Sequence, residues 1–250
     1  MARGQPLVSR AVIRLVLAVA VLLAMPSAGQ ASGLYSETLE PADPKGTVII
    51  IHGGGWQWVG PKYVHGIHAE AERLQSYGWR TVSVEYSAGK TGLRDVRAWY
   101  DRIKALYPGP VCAFGESAGA HLALMLAHSR PVDCVIGHAA ITDLRTIRGS
   151  RDAKLIREKF IPPSFGDRLL RYSPVAHPAL PDVRVLLATS QGDTIGPCWQ
   201  LDAYKHERPN TRTRCLKEGK APFTHANVTR RSLARLHAEE RRLLAEVASL

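Results

Sequence analysis

The chain lacks features that several common protein classes require. Its four cysteines show neither Cys-x-x-Cys nor Cys/His spacing, so nothing in the pattern indicates a zinc site. Its longest N-terminal apolar run, residues 15–25, has only about half of the roughly 20 residues that a membrane-spanning helix needs. Internal repeats and low-complexity tracts are also missing from the sequence.

Length, composition and charge indicate one globular domain with a basic surface. The 250 residues are 45% hydrophobic, enough for a buried sheet, and the net charge is +11. The basic residues at 145–171 and 205–242 have no interleaved aromatics, so nucleic-acid binding is not expected. The excess charge favours anionic partners, such as a polymer or a membrane surface.

The N-terminal residues have the plan of a secretory signal peptide. Three arginines precede the apolar run, and a small-residue stretch follows at 27–31. We therefore expect a cleaved leader at 1–31, a mature domain at 32–250 and an extracellular or periplasmic location without a stable transmembrane anchor. A retained membrane anchor is the alternative. Removing the leader discards three arginines and no acid, so the mature charge would be 11 − 3 = +8.

Strand-like and helix-like runs alternate along the mature chain. This alternation predicts an α/β fold with a mostly parallel central sheet and helices on both faces. An irregular stretch at about 142–181 interrupts it. The strands are expected at 47–51, 79–86, 111–114, 132–137, 183–189 and 211–216, and the helices at 63–77, 93–106, 118–128, 199–206 and 228–247.

Two glycine-rich motifs each follow a predicted strand. Gly115-Glu116-Ser117-Ala118-Gly119 joins a strand to a helix, and its glycines allow a strained serine turn where strand and helix approach closely. His52-Gly53-Gly54-Gly55-Trp56 follows the first buried strand, where three glycines free backbone N–H groups to face an anion.

These motifs resemble the α/β-hydrolase family, in particular small esterases and lipases with an HGGGW oxyanion loop and a GESAG nucleophile turn. The resemblance covers nearly all of the chain after about residue 40 and implies a small cap at about 142–181. It implies that Ser117 is the nucleophile, that Ala118, Gly53 and Gly54 form the oxyanion hole, and that neither a metal nor an organic cofactor is needed.

A serine nucleophile needs a histidine base and a carboxylate that orients it, in the chain order Ser, Asp or Glu, His. Asp193 follows the strand at 183–189, at the carboxyl end where active sites of α/β sheets lie. Its loop, Gly192-Asp193-Thr194-Ile195-Gly196-Pro197, differs slightly from the family pattern. Asp182 precedes the strand and Asp202 falls on a helix, so both are weaker candidates.

Three histidines follow Asp193 in the chain. His225 falls between the last strand and the last helix, the family's position for the catalytic histidine, whereas His206 and His237 fall on predicted helices. Upstream, His52 is expected to orient the glycine loop rather than to react. The tryptophans at 56 and 58 either line the acyl pocket or simply pack, and the sequence leaves both readings open.

The even number of cysteines in a chain predicted to leave the cytoplasm favours disulfides. Cys112 and Cys134 lie in successive strands of the parallel sheet, which leaves Cys198 and Cys215 as the complementary pair. Four inert buried thiols are the alternative.

The sequence as a whole predicts a secreted serine hydrolase that cleaves carboxylic esters, preferring short acyl chains because the cap region lacks a long apolar helix. Its partner would be a small-molecule ester, and its oligomeric state is left open. The alternatives are a peptidase, an esterase that deacylates polysaccharides, a catalytically silent hydrolase-like binding protein, or a structural protein in which the serine turn is coincidental.

Overall fold

Seven strands form the centre of the protein. The computed structural model describes residues 33–148, 150–219 and 228–250, so the predicted leader at 1–31 lies outside the described residues. The strands are β1 (Ser36–Leu39), β2 (Thr47–Ile51), β3 (Arg80–Val84), β4 (Val111–Glu116), β5 (Cys134–His138), β6 (Arg184–Ser190) and β7 (Arg212–Leu216). They form one sheet in the order β1-β3-β2-β4-β5-β6-β7, in which β1 pairs antiparallel with β3 and every other pair is parallel.

Helices cover both faces of this sheet. They are α1 (Pro61–Gly66), α2 (His68–Gln75), α3 (Thr91–Leu106), α4 (Ala118–Ser129), α5 (Arg151–Leu155), α6 (Ile161–Phe165), α7 (Cys198–Glu207) and α8 (Arg230–Ala248). One apolar cluster packs α3, α4 and α7 against the sheet, and a second packs α2 and α8 against the opposite face. The predicted mostly parallel α/β architecture is confirmed.

The sequence of β2 shows why the sheet is covered on both sides. All five of its residues are buried, so the strand is a continuous apolar run rather than an alternating one. Val48 and Ile50 belong to the cluster with α2 and α8, whereas Ile49 and Ile51 belong to the cluster with α3 and α4. Successive side chains of a strand point to opposite faces, which produces this division.

One predicted helix is wrong in detail. The run expected at 63–77 is divided into α1 and α2, because Ile67 between them has φ −104° and ψ 12° and leaves the helical conformation. In the described part of the chain, no helix combines the length and the apolar character that crossing a membrane would need.

The irregular stretch at 142–181 folds into short helical segments. A π-helical turn, Ile156–Phe160, joins α5 to α6, and single 3₁₀ turns flank this run. The segment packs against the HGGGW loop, where the ring of Phe160 meets that of Trp58 edge-on at 4.9 Å and Gln57 Nε2 donates to Ser164 Oγ at 2.7 Å. The segment therefore lies beside the loop that follows β2.

The four cysteines form two disulfides in the pairs expected from the sequence. Cys112 and Cys134 face each other in the register of β4 and β5, with their Cα atoms 4.5 Å apart. Cys198, the first residue of α7, is bonded to Cys215 of β7 across a Cα separation of 5.5 Å. The second bridge fixes α7 to the edge strand of the sheet.

Candidate active site

Ser117 occupies a strained turn between β4 and α4. Its backbone angles, φ 54° and ψ −117°, lie outside the regions that L-residues normally adopt. The turn is held by its neighbours, because Ser117 N–H donates to the carbonyl of His138 at 2.9 Å and His121 N–H donates to the carbonyl of Ser117 at 3.1 Å. Strain that the surrounding structure maintains in this way is typical of a functional position.

The two glycines of the GESAG motif are required by close backbone contacts. A Cβ atom on Gly115 would lie 2.3 Å from the carbonyl oxygen of Gly119, and one on Gly119 would lie 2.0 Å from that of Ile51. No side chain fits at either distance, so β4, α4 and the end of β2 can meet only at glycine.

The HGGGW loop passes directly beside the serine turn. A Cβ on Gly53 would lie 3.2 Å from the carbonyl oxygen of Glu116 and 3.5 Å from Ser117 Cβ. Gly54 has φ 121° and Gly55 has φ 57°, both in the left-handed region that glycine tolerates. The loop thus brings its backbone to the turn as the sequence predicts, while the oxyanion role of Gly53, Gly54 and Ala118 stays a prediction.

His52 anchors the start of this loop. Its buried ring lies against those of Tyr86 and Tyr63, with centroids 4.4 and 5.7 Å away, and its Nδ1–H donates to the carbonyl of Gly53 at 2.6 Å. The Tyr86 hydroxyl donates to the carbonyl of His52 at 3.0 Å. Burial lowers the pKa of His52, which favours the neutral ring. These contacts fit the orienting role expected for His52.

The two tryptophans near the loop have different environments. Trp56 is fully buried, and its Nε1–H donates to His121 Nδ1 at 3.1 Å, so it packs beneath the loop. His121 Nε2–H in turn donates to the carbonyl of Tyr172 at 2.6 Å, and burial lowers the pKa of His121 to about 4. Trp58 is 51% exposed and lies on the surface beside Phe160.

Asp193 is buried in the loop after β6, with 2% of its surface exposed. Its Oδ1 accepts the N–H groups of Ile195 and Gly196, both at 2.9 Å, and its Oδ2 accepts the hydroxyl of Thr189 at 3.0 Å. The strands β4, β5 and β6 are parallel neighbours. Asp193 and Ser117 therefore both lie beyond the carboxyl ends of their strands, at the same end of the sheet. Asp182 lies before β6 and Asp202 lies on α7, as the sequence predicts.

The predicted base, His225, lies outside the described residues, which leave out 220–227. The structure does describe both flanks of that segment. Glu218 pairs with Val228 in an antiparallel bridge, and Thr229 N–H donates to the carbonyl of Lys217 at 3.0 Å. The two described flanks therefore lie together just beyond the carboxyl end of β7. His206 lies on α7 and His237 on α8.

A cavity of about 140 Å³ opens at this edge. Its walls include Glu116 from the serine turn, Ser190 from the start of the Asp193 loop, Val228, and Leu233 and Leu236 of α8. Neither Ser117 nor Asp193 lines it, so it adjoins the serine turn from the side that α8 covers. The described residues contain no group of three or more His, Cys, Asp or Glu side chains that could hold a metal ion.

A buried ion network adjoins the turn, and the sequence analysis missed it. It consists of His138, Glu240, Arg73 and Glu70. Glu240 is fully buried on α8 and accepts from His138 Nε2 and Arg73 Nη1, and Arg73 also binds Glu70. The available signal was a glutamate on the apolar face of α8, spaced four residues after Leu236 and three before Leu243.

Burial and charge act in opposite directions within this network. Burial by itself would lower the pKa of His138, but the hydrogen bond and the charge of Glu240 outweigh it and raise that pKa. Burial would raise the pKa of Glu240, but His138 and Arg73 outweigh it and lower that pKa. Both partners are therefore held in their charged forms. The backbone carbonyl of His138 accepts the N–H of Ser117. The network that fixes His138 therefore also supports the nucleophile turn.

Comparison with known proteins defines the fold class. Neither a protein-family model nor a curated protein sequence matches this chain. Solved structures match it across 86% of its length. A putative thioesterase from Silicibacter is 18% identical, with 80% of that chain covered and a TM-score of 0.63. A propionate-bound thermophilic esterase from Thermogutta terrifontis is 17% identical, with 89% covered and a TM-score of 0.61.

Esterase B from Lactobacillus rhamnosis, inhibited by a tributyrin phosphonate, is a third structure similar to this chain. It is 17% identical, the match covers 86% of this chain and 81% of that one, and the TM-score is 0.64. At these identities the likeness concerns the fold alone. The parallel sheet, the helices on both faces and these neighbours together show that the chain has the α/β-hydrolase fold.

Proposed function

We propose that this protein is a serine hydrolase that cleaves carboxylic esters through an acyl-enzyme intermediate. The observation that carries the proposal is the strained Ser117 turn with the Gly53 backbone lying beside it. A half-buried serine on such a turn next to a glycine loop is the arrangement that acyl transfer requires, with a nucleophile and backbone donors around one reacting atom.

In the proposed mechanism, Ser117 Oγ attacks the ester carbonyl carbon while His225 accepts the hydroxyl proton. Asp193 orients His225 and stabilises its charged form. The oxyanion that develops would be stabilised by the N–H groups of Ala118, Gly53 and Gly54, at roughly 3 kcal/mol for each donor. His225 then returns the proton to the departing alcohol, which leaves Ser117 acylated.

Water completes the reaction by the same route in reverse order. His225 removes a proton from the water, the resulting hydroxide attacks the acyl carbon, and the bond to Ser117 Oγ breaks as the serine regains its proton. This chemistry requires neither a metal nor an organic cofactor. The two backbone N–H groups that donate to Asp193 support its orienting role, because they fix the carboxylate in one position.

We propose that the protein acts on short-chain esters and that it is secreted. The described residues of the segment at 142–181 form only short helical pieces, none of them a long apolar helix suited to a lipid interface. Two fold neighbours were solved with propionate and with a tributyrin phosphonate, both of which carry short carbon chains. The two disulfides and the predicted leader support export, because disulfides persist in oxidising compartments.

A panel of p-nitrophenyl esters from acetate to palmitate tests this proposal. We expect faster hydrolysis of acetate and butyrate than of palmitate, and a loss of roughly a thousandfold or more in kcat for Ser117→Ala. Ser76→Ala, at an exposed position, is the matched control and should retain full activity. Activity that survives Ser117→Ala would refute the mechanism, whereas a preference for palmitate would refute only the proposed acyl length.

A further inference from the structure

A second cavity of about 380 Å³ lies between α3, the last turn of α4 and residues 171–177. Its walls contain neither Ser117 nor Asp193 nor the glycine loop. They carry four strong cations and two histidines, and no carboxylate: Lys90, Arg94, Arg97, His128, Arg171 and His177. The cavity is therefore a separate and distinctly basic site.

Three elements direct these groups into one space. Lys90 immediately precedes α3, and Arg94 and Arg97 follow it at spacings of four and three residues, which places all three on one face of the helix. His128 comes from the end of α4, and its ring centroid lies 4.9 Å from that of His177 on the opposite wall. The cations thus converge from both sides of the cavity.

The protein itself leaves most of this charge unneutralised. In the described part of the chain, no carboxylate lies within salt-bridge distance of Lys90, Arg97 or Arg171. Arg94 reaches Asp95 at 3.5 Å but is itself 78% exposed. Arg130, by contrast, is paired with Asp101 at 2.7 Å. An uncompensated cluster of cations attracts an external anion.

Burial and nearby positive charge both lower the pKa of two wall residues. Burial lowers the pKa of His177, and the nearby His128 and the charge of Arg171 lower it further. Burial also lowers the pKa of Arg97, with a further contribution from Arg130. A bound anion would relieve both effects, since it favours the charged form of each side chain.

The cavity is larger than a simple ion needs. Pockets for small organic ligands occupy about 300–1,000 Å³, and this cavity falls at the lower end of that range. Leu93, Met125 and Tyr172 provide a partly apolar wall beside the cations. The site therefore suits a compact molecule that combines a strongly charged group with a small organic body.

We propose that this cavity binds a phosphate monoester of a small, sugar-sized alcohol. The phosphate dianion would meet Lys90, Arg97 and Arg171, which lack carboxylate partners, and the organic part would lie against Leu93 and Met125. Charge-assisted hydrogen bonds to phosphate are the strong contacts that these side chains form. The proposal goes beyond the ester hydrolysis proposed above and does not depend on it.

Isothermal titration calorimetry of the purified protein with glucose 6-phosphate, inorganic phosphate and glucose tests the proposal. We expect glucose 6-phosphate to bind more tightly than phosphate, and glucose not to bind. Lys90→Gln/Arg171→Gln removes two exposed cations and should weaken binding at least about tenfold, because the phosphate loses two charge-assisted contacts. Arg102→Gln/Lys205→Gln, which removes two exposed charges away from the cavity, should bind like the wild type.

Circular dichroism and thermal melting confirm that both double variants are folded. The proposal is overturned if glucose 6-phosphate does not bind at millimolar concentration or binds no better than inorganic phosphate. Equal weakening in the two double variants would also overturn it, because binding would then follow net charge rather than the cavity. None of these results depends on Ser117, so they can be read whether or not esterase activity is found.

Discussion

Replacing Glu240 by glutamine removes one charge from the buried ion network without changing the shape of the side chain. Glu240 is fully buried and forms ion pairs with His138 and Arg73. The side chains of these two partners are each only 14% exposed. Breaking a buried pair from one side costs about 3–5 kcal/mol, because the remaining charge stays buried without compensation. Arg73 retains Glu70, so we expect the lower end, about 3 kcal/mol.

The pH dependence of this loss follows from the two shifted pKa values. The raised pKa of His138 means that its contribution to stability is complete below the unfolded value near pH 6.5 and is lost as pH rises through the folded pKa. The lowered pKa of Glu240 means that its contribution is present above the unfolded value near 4.5 and is lost as pH falls through the folded pKa. The pair therefore stabilises the protein most between these two values.

Denaturant unfolding of wild type and Glu240→Gln, with disulfides intact, measures this effect at about pH 5.5 and about pH 8.5. We expect the difference in unfolding free energy to be about 3 kcal/mol at the lower pH and smaller at the higher one. Glu246→Gln on the same helix is the control, because its partner Arg212 is exposed and such pairs contribute only about 0–1 kcal/mol. The same loss at both pH values, or a loss no larger than that of the control, would refute the reasoning.

Three further predictions concern the site and its scaffold. Gly119→Ala should prevent folding to a soluble protein, because its Cβ would meet the Ile51 carbonyl oxygen at 2.0 Å; a soluble variant with wild-type melting would contradict this contact. Asp193→Asn should lower kcat by roughly ten-thousandfold with little change in fold, and full esterase activity would remove it from the mechanism. Replacing Cys198 and Cys215 by alanine should cost about 3 kcal/mol in unfolding experiments, whereas unchanged stability would show that this bridge contributes nothing.

The sheet and the serine turn could be predicted from local sequence patterns. Continuous apolar runs such as Thr47–Ile51 indicate buried parallel strands, and these strands form as expected. The GESAG pentapeptide indicates a tight serine turn, because a residue with a Cβ atom has no space at Gly115 or at Gly119. Asp193 could be selected because the end of a strand determines which edge of the sheet a loop occupies.

Other features depend on contacts between distant parts of the chain and are not encoded locally. Arg73 and Glu240 are separated by 167 positions, and only the packing of α2 and α8 on one face of the sheet brings them together. The basic cavity likewise joins α3 to residues 171–177. In the sequence these cations appear as scattered surface charges, because their convergence requires the folded segment that follows β5.

The central claim is that the Ser117 hydroxyl is made nucleophilic by His225 and Asp193. Labelling of the purified protein with a fluorophosphonate, followed by peptide mapping, tests it most directly, because the reagent modifies only an activated serine. The account predicts a single modified peptide containing Ser117 and little labelling of the His225→Ala and Asp193→Asn variants. A folded protein in which Ser117 stays unmodified, or in which it reacts equally well without His225, would contradict the account.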